Sequence, residues 1–283
     1  SIRRQRQMCI RDSINSSEEL NAIRFSDKKA LVPTMGNLHK GHMSLVNFAS
    51  KNYATVITSI FINPLQFGKN EDFSNYPRTL KKDIKLLEEF GSDYLFLPEK
   101  DFAENLQLIK PKYANVLCGR SRPNHFDGVI TIINKFLSII KPDVCLFGLK
   151  DYQQQLIIKD FVKRLKINTE ILSLPTVREA SGLAMSSRNN YLSDEARLHC
   201  GKIYSTIKKI ADCIESSSNI DNFDSFREDA LKDLKKDNFV IDYLEILDAN
   251  NLTKPLTNSK KILIAIAVKY ESVRLIDNIE ISL

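Results

Sequence analysis

The sequence predicts an α/β protein, a Rossmann-like parallel-sheet N-terminal domain followed by a smaller α+β C-terminal domain. Three observations carry this. Apolar, β-branched runs of strand length alternate with amphipathic helical patterns from about Ser13. The alternation stops near Thr176. Beyond it, helical stretches precede three closely spaced apolar runs, as in a short antiparallel sheet.

The elements follow in order. "SEELNAI" reads as a helix and "KKALVPT" as a short buried strand, then "MSLVNFAS" as an apolar-periodic helix. "ATVITSIFI", Ala54 to Ile62, is almost wholly apolar, as a strand covered on both faces would be. "TLKKDIKLLEEFG" is an amphipathic helix closed by Gly91 in the place of a C-terminal cap. "DYLFLP" is a strand ended by Pro98, and "GVITIINKFLSII", "DVCLFG", "YQQQLIIKDFVKRL" and "TEILSLP" repeat helix, strand, helix, strand. Past Thr176, "SDEARLHCGKIYSTIKKIADCIES" and "FDSFREDALKDLKKD" read as helical, with "FVIDYLEILD", "KKILIAIAV" and "SVRLIDNIEISL" as strands. The expected organisation is therefore residues 13–176 and 177–283. Residues 1–12, "SIRRQRQMCIRD", fit nothing downstream and are expected to be a non-native or disordered arm.

Bulk properties bound the class. At 283 residues the chain fits two domains better than one, and its 43% apolar and 27% charged residues are ordinary for a soluble globular protein. The longest apolar run, "ILIAIAV", is far short of a membrane span, and the polar start has no apolar signal-peptide region. Five scattered cysteines without C-x-x-C spacing argue for reduced thiols in a cytoplasm. The formal charge of +6 fits an anionic substrate. A basic RNA-binding module would gather basic and aromatic residues on one face, whereas here they are dispersed among acids, as on the solvated helix of "KKDIKLLEEF". No nucleic acid and no membrane is expected as partner.

In open parallel sheets ligands bind beyond the carboxyl ends of the strands. Three residue sets stand there: "PTMGNLHKGH", "NPLQFG" and "GLKDYQQ". A helix starting near Gly41 would turn its free N–H groups and positive dipole end toward the loop, making an anion site. His39 and His42 would flank it, and Gly36 and Gly41 would let backbone approach a phosphate. An isolated His-x-x-His pair more often packs one ring and solvates the other. With no third His or suitably spaced Cys nearby, a metal site is less favoured still. The loop is neither a Walker loop nor a Rossmann G-x-G-x-x-G.

The loop by itself resembles the H-x-G-H signature of the nucleotidyltransferase superfamily. "PTMGNLHKGHMSLV", "SIFINPLQFGKNEDFSNYPRTLKKD", "GLKDYQQ" and "PTVREASGLAMSSRNNYLS", in that order, resemble the pantoate–β-alanine ligase (pantothenate synthetase) family from about Lys29 to the C-terminus. "DYLEILD" and "RLIDNIEI" match as well.

The resemblance implies an ATP-dependent condensation of pantoate with β-alanine through a pantoyl adenylate, with Mg²⁺ and a homodimer. It places Met35, Gly36, Asn37, Leu38, His39, Lys40, Gly41 and His42 at ATP, with His42, His39 and Lys150 catalytic. The family's label for His42 is proton donor, but a carboxylate nucleophile has no proton to give up. Stabilising charge at the α-phosphate is then the better role for both histidines. Gly148, Leu149, Lys150 and Asp151 are implied at phosphates and ribose, and Val177 at adenine. Met185, Ser186, Ser187 and Arg188 are implied at the β- and γ-phosphates. Gln66 and Gln154 are implied to bind pantoate as uncharged amides, with Arg122 and His125 near the pocket or structural. Leu149 stands where the family usually has Glu, Asn124 where it usually has Gly, and Lys40 where an acid is common. The alternative is a nucleotidyltransferase that keeps the nucleotide in its product, which gives no reason for "NPLQFG" and "DYQQ" together.

Overall fold

In the computed structural model, residues 10, 12–23, 25, 27–69, 71–217 and 223–283 are described. The elements are β1 (Asp12–Ile14), α1 (Ser17–Ala22), β2 (Lys29–Thr34), α2 (Lys40–Asn52), β3 (Thr55–Ile60), α3 (Leu80–Phe90) and β4 (Tyr94–Phe96). Then come α4 (Cys118–Ser121), α5 (His125–Ile140), β5 (Val144–Gly148), α6 (Tyr152–Arg164) and β6 (Glu170–Leu174). The remainder is α7 (Asp194–His199), α8 (Lys202–Ser217), α9 (Phe223–Lys236), β7 (Val240–Asp248), β8 (Lys261–Tyr270) and β9 (Val273–Ser282).

Two compact units result. The first comprises residues 1–114, 123–149 and 154–175, and its six strands run in the order β1-β4-β3-β2-β5-β6, every pair parallel. Alternate residues leave opposite faces of a strand, and both faces are covered. Ala30, Val32, Val56, Leu95, Val144 and Leu146 meet Met43, Leu45, Val46 and Ala49 of α2 and Leu87 of α3. Phe96, one residue past Leu95, turns the other way and joins Phe61, Phe102 and Phe136 of α5 in a ring cluster. Successive strands step one way from β2 to β3 and β4, and the other way to β5 and β6. The switch point therefore lies between β2 and β5.

Gly91 closes α3 at φ +87°, in the left-handed region only glycine enters freely. Ile10 packs against the sheet core and Asp12 opens β1, which pairs with β4 at the sheet edge, both within the expected arm at residues 1–12. A three-residue strand with no alternation of its own leaves no pattern to read. The other residues of that arm lie outside the described residues.

The second unit comprises residues 115–122, 150–153 and 176–283. Its antiparallel sheet runs β7-β8-β9. The central β8 is buried from Ile262 to Val268, and Leu183, α8 and α9 complete its core. The single helical stretch expected over "SDEARLHCGKIYS…" is two helices, broken at Cys200–Gly201. A Cβ on Gly201 would lie 2.2 Å from the Ser181 carbonyl oxygen, so the break brings backbone close to the 181 turn. Among the described residues, no helix is long and apolar enough to cross a membrane.

Candidate active site

The carboxyl ends of β2, β3 and β5 deliver the three motifs. β2 runs out at Thr34 into Met35 and Gly36, β3 at Ile60 into the turn Pro64–Gln66, and β5 at Gly148 into Leu149–Asp151. The first and third flank the switch point, where ligands of such sheets bind.

α2 starts at Lys40 with His39 as its N-cap. The two histidines build that turn themselves. His39 Nδ1 accepts the Gly41 N–H at 3.1 Å, and His42 Nδ1 accepts the His39 N–H at 3.4 Å. Their rings lie 4.1 Å apart between centroids, tilted by 36°. An acceptor Nδ1 carries no proton, so in each neutral ring the proton sits on Nε2. Two imidazolium rings at this spacing would also repel each other. The arrangement turns Nδ1 of both rings into the helix turn and puts the ring N–H on Nε2. The Gly41 N–H is satisfied inside the turn.

Upstream of the histidines the loop is tied down by a residue the sequence hid. Asp83 of α3, 1% exposed, accepts the N–H of Asn37 at 3.0 Å and of Leu38 at 2.9 Å, and the Thr79 hydroxyl on both oxygens at 3.1 Å. Gly36 stands at φ +82°, a conformation side chains rarely adopt, and a Cβ there would press on Asp83 Oδ2 at 3.3 Å and Ile60 at 3.1 Å. Asn37 also sits at positive φ, 49°. Within the "KKDIKLLEEF" helix Asp83 is thus a buried anchor, not a solvated charge. Lys40 is exposed.

Gln66 is half-buried and touches the same loop. Its Nε2 donates to Met35 Sδ at 3.0 Å, and its Oε1 accepts from Asn63 Nδ2 at 3.0 Å. Asn63, 2% exposed, also donates to the Gly128 carbonyl, and its Oδ1 accepts the Leu65 N–H. His125 Nδ1 meets the Gln66 carbonyl at 2.8 Å. Gly128 is required for this docking, since a Cβ there would lie 2.1 Å from the Leu65 carbonyl oxygen. Asn124, where glycine was expected, stands at φ 63° just before α5. Asparagine is among the few residues that tolerate that conformation. Asn63 and Gly128 carried no signal beyond membership of apolar motifs.

The three consecutive glutamines of α6 divide. Gln153 bonds the Cys118 N–H and the Val116 carbonyl, and Gln155 accepts from Ser173. Gln154 between them is half-buried.

In the second unit, Lys150 Nζ lies 3.6 Å from Asp151 Oδ1. Val177 and Met185 are joined, the Met185 N–H donating to the Val177 carbonyl at 2.9 Å. Ser186 caps the turn that follows by accepting the Arg188 N–H at 3.2 Å. Asn189 holds that turn, its Nδ2 donating to Glu179 at 2.7 Å and to the Ala184 carbonyl. Ser187 is buried and Arg188 half-buried. Arg178 forms a two-pronged ion pair with Asp277 and stacks on Tyr204 at 3.6 Å. Burial raises the Asp277 carboxyl above its ordinary pKa, and Arg178 pulls against it without winning. Arg122 falls in this unit and His125 in the first.

The family model described as Pantoate-beta-alanine ligase matches residues 9–280. The pantothenate synthetase of Shewanella oneidensis is 43% identical over 256 residues, covering 88% of this chain and 90% of its own. That of Methylobacillus flagellatus is 39% identical over 257 residues, covering 89% and 92%. The crystal structure of pantothenate synthetase from Thermus thermophilus superposes with a TM-score of 0.87 at 34% identity, covering 94% of this chain and 98% of its own. The crystal structure of a Francisella tularensis pantoate-beta-alanine ligase complexed with beta-gamma ATP and beta-alanine superposes with a TM-score of 0.76 at 34% identity, covering 94% and 96%. The chain belongs to the pantoate–β-alanine ligase family.

Proposed function

We propose that this chain binds ATP, pantoate and β-alanine and joins the last two into pantothenate through a pantoyl adenylate. The observation that carries the reading is the contact of Gln66 with Met35, which sets the glutamine at the end of β3 against the histidine loop at the end of β2. The relative from Francisella tularensis, described with ATP and β-alanine, supports the same ligands here.

In the first step a pantoate carboxylate oxygen attacks the α-phosphorus. The bond to the bridging oxygen breaks and pyrophosphate leaves. Charge grows on the α-phosphoryl oxygens, and His39 and His42 donate to them from Nε2. Both act as donors that keep their protons, since the carboxylate needs no base. Gln66 and Gln154 hold pantoate through uncharged amides. Lys150 and the Ser186–Ser187–Arg188 turn take the phosphates, with Asp151 at the ribose and the Val177 backbone at adenine. In the second step the β-alanine amine attacks the acyl carbon, loses a proton, and AMP leaves. Leu149 carries no charge, so it can offer the nucleotide only backbone or apolar contact.

Mg²⁺ enters as part of the nucleotide substrate. Among the described residues no group of three His, Cys, Asp or Glu forms a protein cage. An ion held mainly by phosphate oxygens and water requires none, and it would offset negative charge on the triphosphate. The cytoplasm and a homodimer belong to the same proposal, with Cys118, Cys145, Cys200 and Cys213 present as thiols. Burial lifts the Cys200 thiol to about 12 and the Cys145 thiol further, leaving both unreactive.

The test is incubation with ATP, pantoate and β-alanine followed by mass spectrometry. Equimolar pantothenate and AMP are expected. A product retaining the nucleotide would overturn the reading.

A further inference from the structure

Two stretches assigned above to the nucleotide, Lys150–Asp151 and Val177–Arg188, are far apart in sequence and lie in the same unit. Strand β9 touches both. Its odd-numbered side chains Leu275, Ile279 and Ile281 join the core made with α8. Asp277, on that face and 4% exposed, takes both prongs of Arg178, whose guanidinium also donates to the Gly182 carbonyl at 3.1 Å. The bridge between Arg178 and Ala184 closes the segment just ahead of Met185 and Ser186. The even-numbered side chains leave the opposite face. There Asn278, 8% exposed, donates from Nδ2 to the Lys150 carbonyl at 2.8 Å, and Glu280 accepts the Tyr152 hydroxyl at 2.6 Å. The Asn278 N–H returns to Asp277 Oδ1 at 2.8 Å, which locks the two neighbours to each other.

We propose that Asp277 and Asn278 are positioning residues for nucleotide binding: one strand holds the Lys150 turn with Asn278 and the phosphate turn with Asp277 through Arg178, and so fixes their spacing. The strand suits the task, because it pairs along its length with β8, whose residues from Ile262 to Val268 are buried, Asp277 opposite Ile266 and Asn278 opposite Ala265. A triphosphate gripped at two places is sensitive to that spacing, since displacing one grip forfeits the geometry of both. The buried ion pair also has a reason to exist beyond stability, where an apolar pair of the same volume often serves as well.

This rests on the assignment of Lys150 and Ser186–Arg188 to ATP, and the test separates the two ideas. Initial rates of ATP–pyrophosphate exchange with pantoate are measured for Asn278→Thr, Arg178→Lys, Lys150→Ala and Asn278→Thr/Lys150→Ala, each normalised to folded protein by circular dichroism. Threonine keeps strand preference and a hydroxyl that falls short of the Lys150 carbonyl. Lysine replaces the two-pronged fork by a single ammonium. The KM for ATP is expected to rise about 10- to 100-fold in both single variants, while the KM for pantoate stays within about twofold. On the Lys150→Ala background, Asn278→Thr should add nothing. Equal changes in both KM values, unchanged KM for ATP, or effects that multiply in the double variant would overturn the proposal and leave the assignment of Lys150 standing. Full activity of Lys150→Ala would overturn both.

Discussion

The imidazoles of His39 and His42 lie 4.1 Å apart, and each accepts a backbone N–H through Nδ1 in the first turn of α2. The turn uses Nδ1 of both rings, and the proposed chemistry uses Nε2. Asparagine can place Oδ1 where Nδ1 sits but has nothing at Nε2, whereas glutamine can reach the Nε2 position with its amide. His42→Asn should keep the unfolding midpoint and lose adenylation by about 10²- to 10³-fold. His42→Gln should recover about tenfold of that loss. Pyrophosphate-exchange rates beside thermal melts check this, and equal rates for the two variants would count against an Nε2 donor.

Asp83 gives a prediction on stability. Removing its carboxylate takes this acceptor from the buried N–H groups of Asn37 and Leu38, at roughly 1–3 kcal/mol each. Asp83→Ala should lower the urea midpoint by a corresponding amount. An unchanged midpoint would mean that the loop finds other partners.

Residues that act through near neighbours were legible in the sequence, and residues that act across the fold were not. Strand and helix order followed from periodicity, and the three strand-end motifs were placed by that order alone. Asp83 reads as one more charge on an amphipathic helix, because the backbone it anchors lies more than forty positions upstream. Asp277 and Asn278 sit in a strand pattern whose partners are Arg178 and the Lys150 carbonyl. The capping role of the histidines was missed for a different reason. Histidine is an uncommon N-cap, so the H-x-x-H spacing pointed outward to a ligand before it pointed inward to the helix.

The docking of α5 on the turn that carries Gln66 yields a substrate-specific effect. A methyl at Gly128 would meet the Leu65 carbonyl oxygen at 2.1 Å and the Gln66 nitrogen at 2.7 Å, so the turn must move. Gly128→Ala should raise the KM for pantoate by about tenfold or more and change that for ATP less. Steady-state kinetics varying one substrate at a time decide it. An effect on ATP alone would contradict the assignment of Gln66.

Asn124 holds φ 63° at the head of α5. Asn124→Gly should leave stability within about 1 kcal/mol. Asn124→Val should cost about 1–2 kcal/mol, because a β-branched residue fits the left-handed region poorly. Chemical denaturation of both variants provides the comparison, and equal stabilities would show that the backbone there relaxes.

The central claim is that the pantoate carboxylate attacks the α-phosphorus of ATP. Pantoate labelled with ¹⁸O in both carboxylate oxygens, turned over with ATP and β-alanine, tests it in one mass spectrum. One labelled oxygen should leave in AMP while the other stays in the amide carbonyl of pantothenate. Unlabelled AMP would contradict the account, since it would mean that no acyl–phosphate oxygen was ever shared.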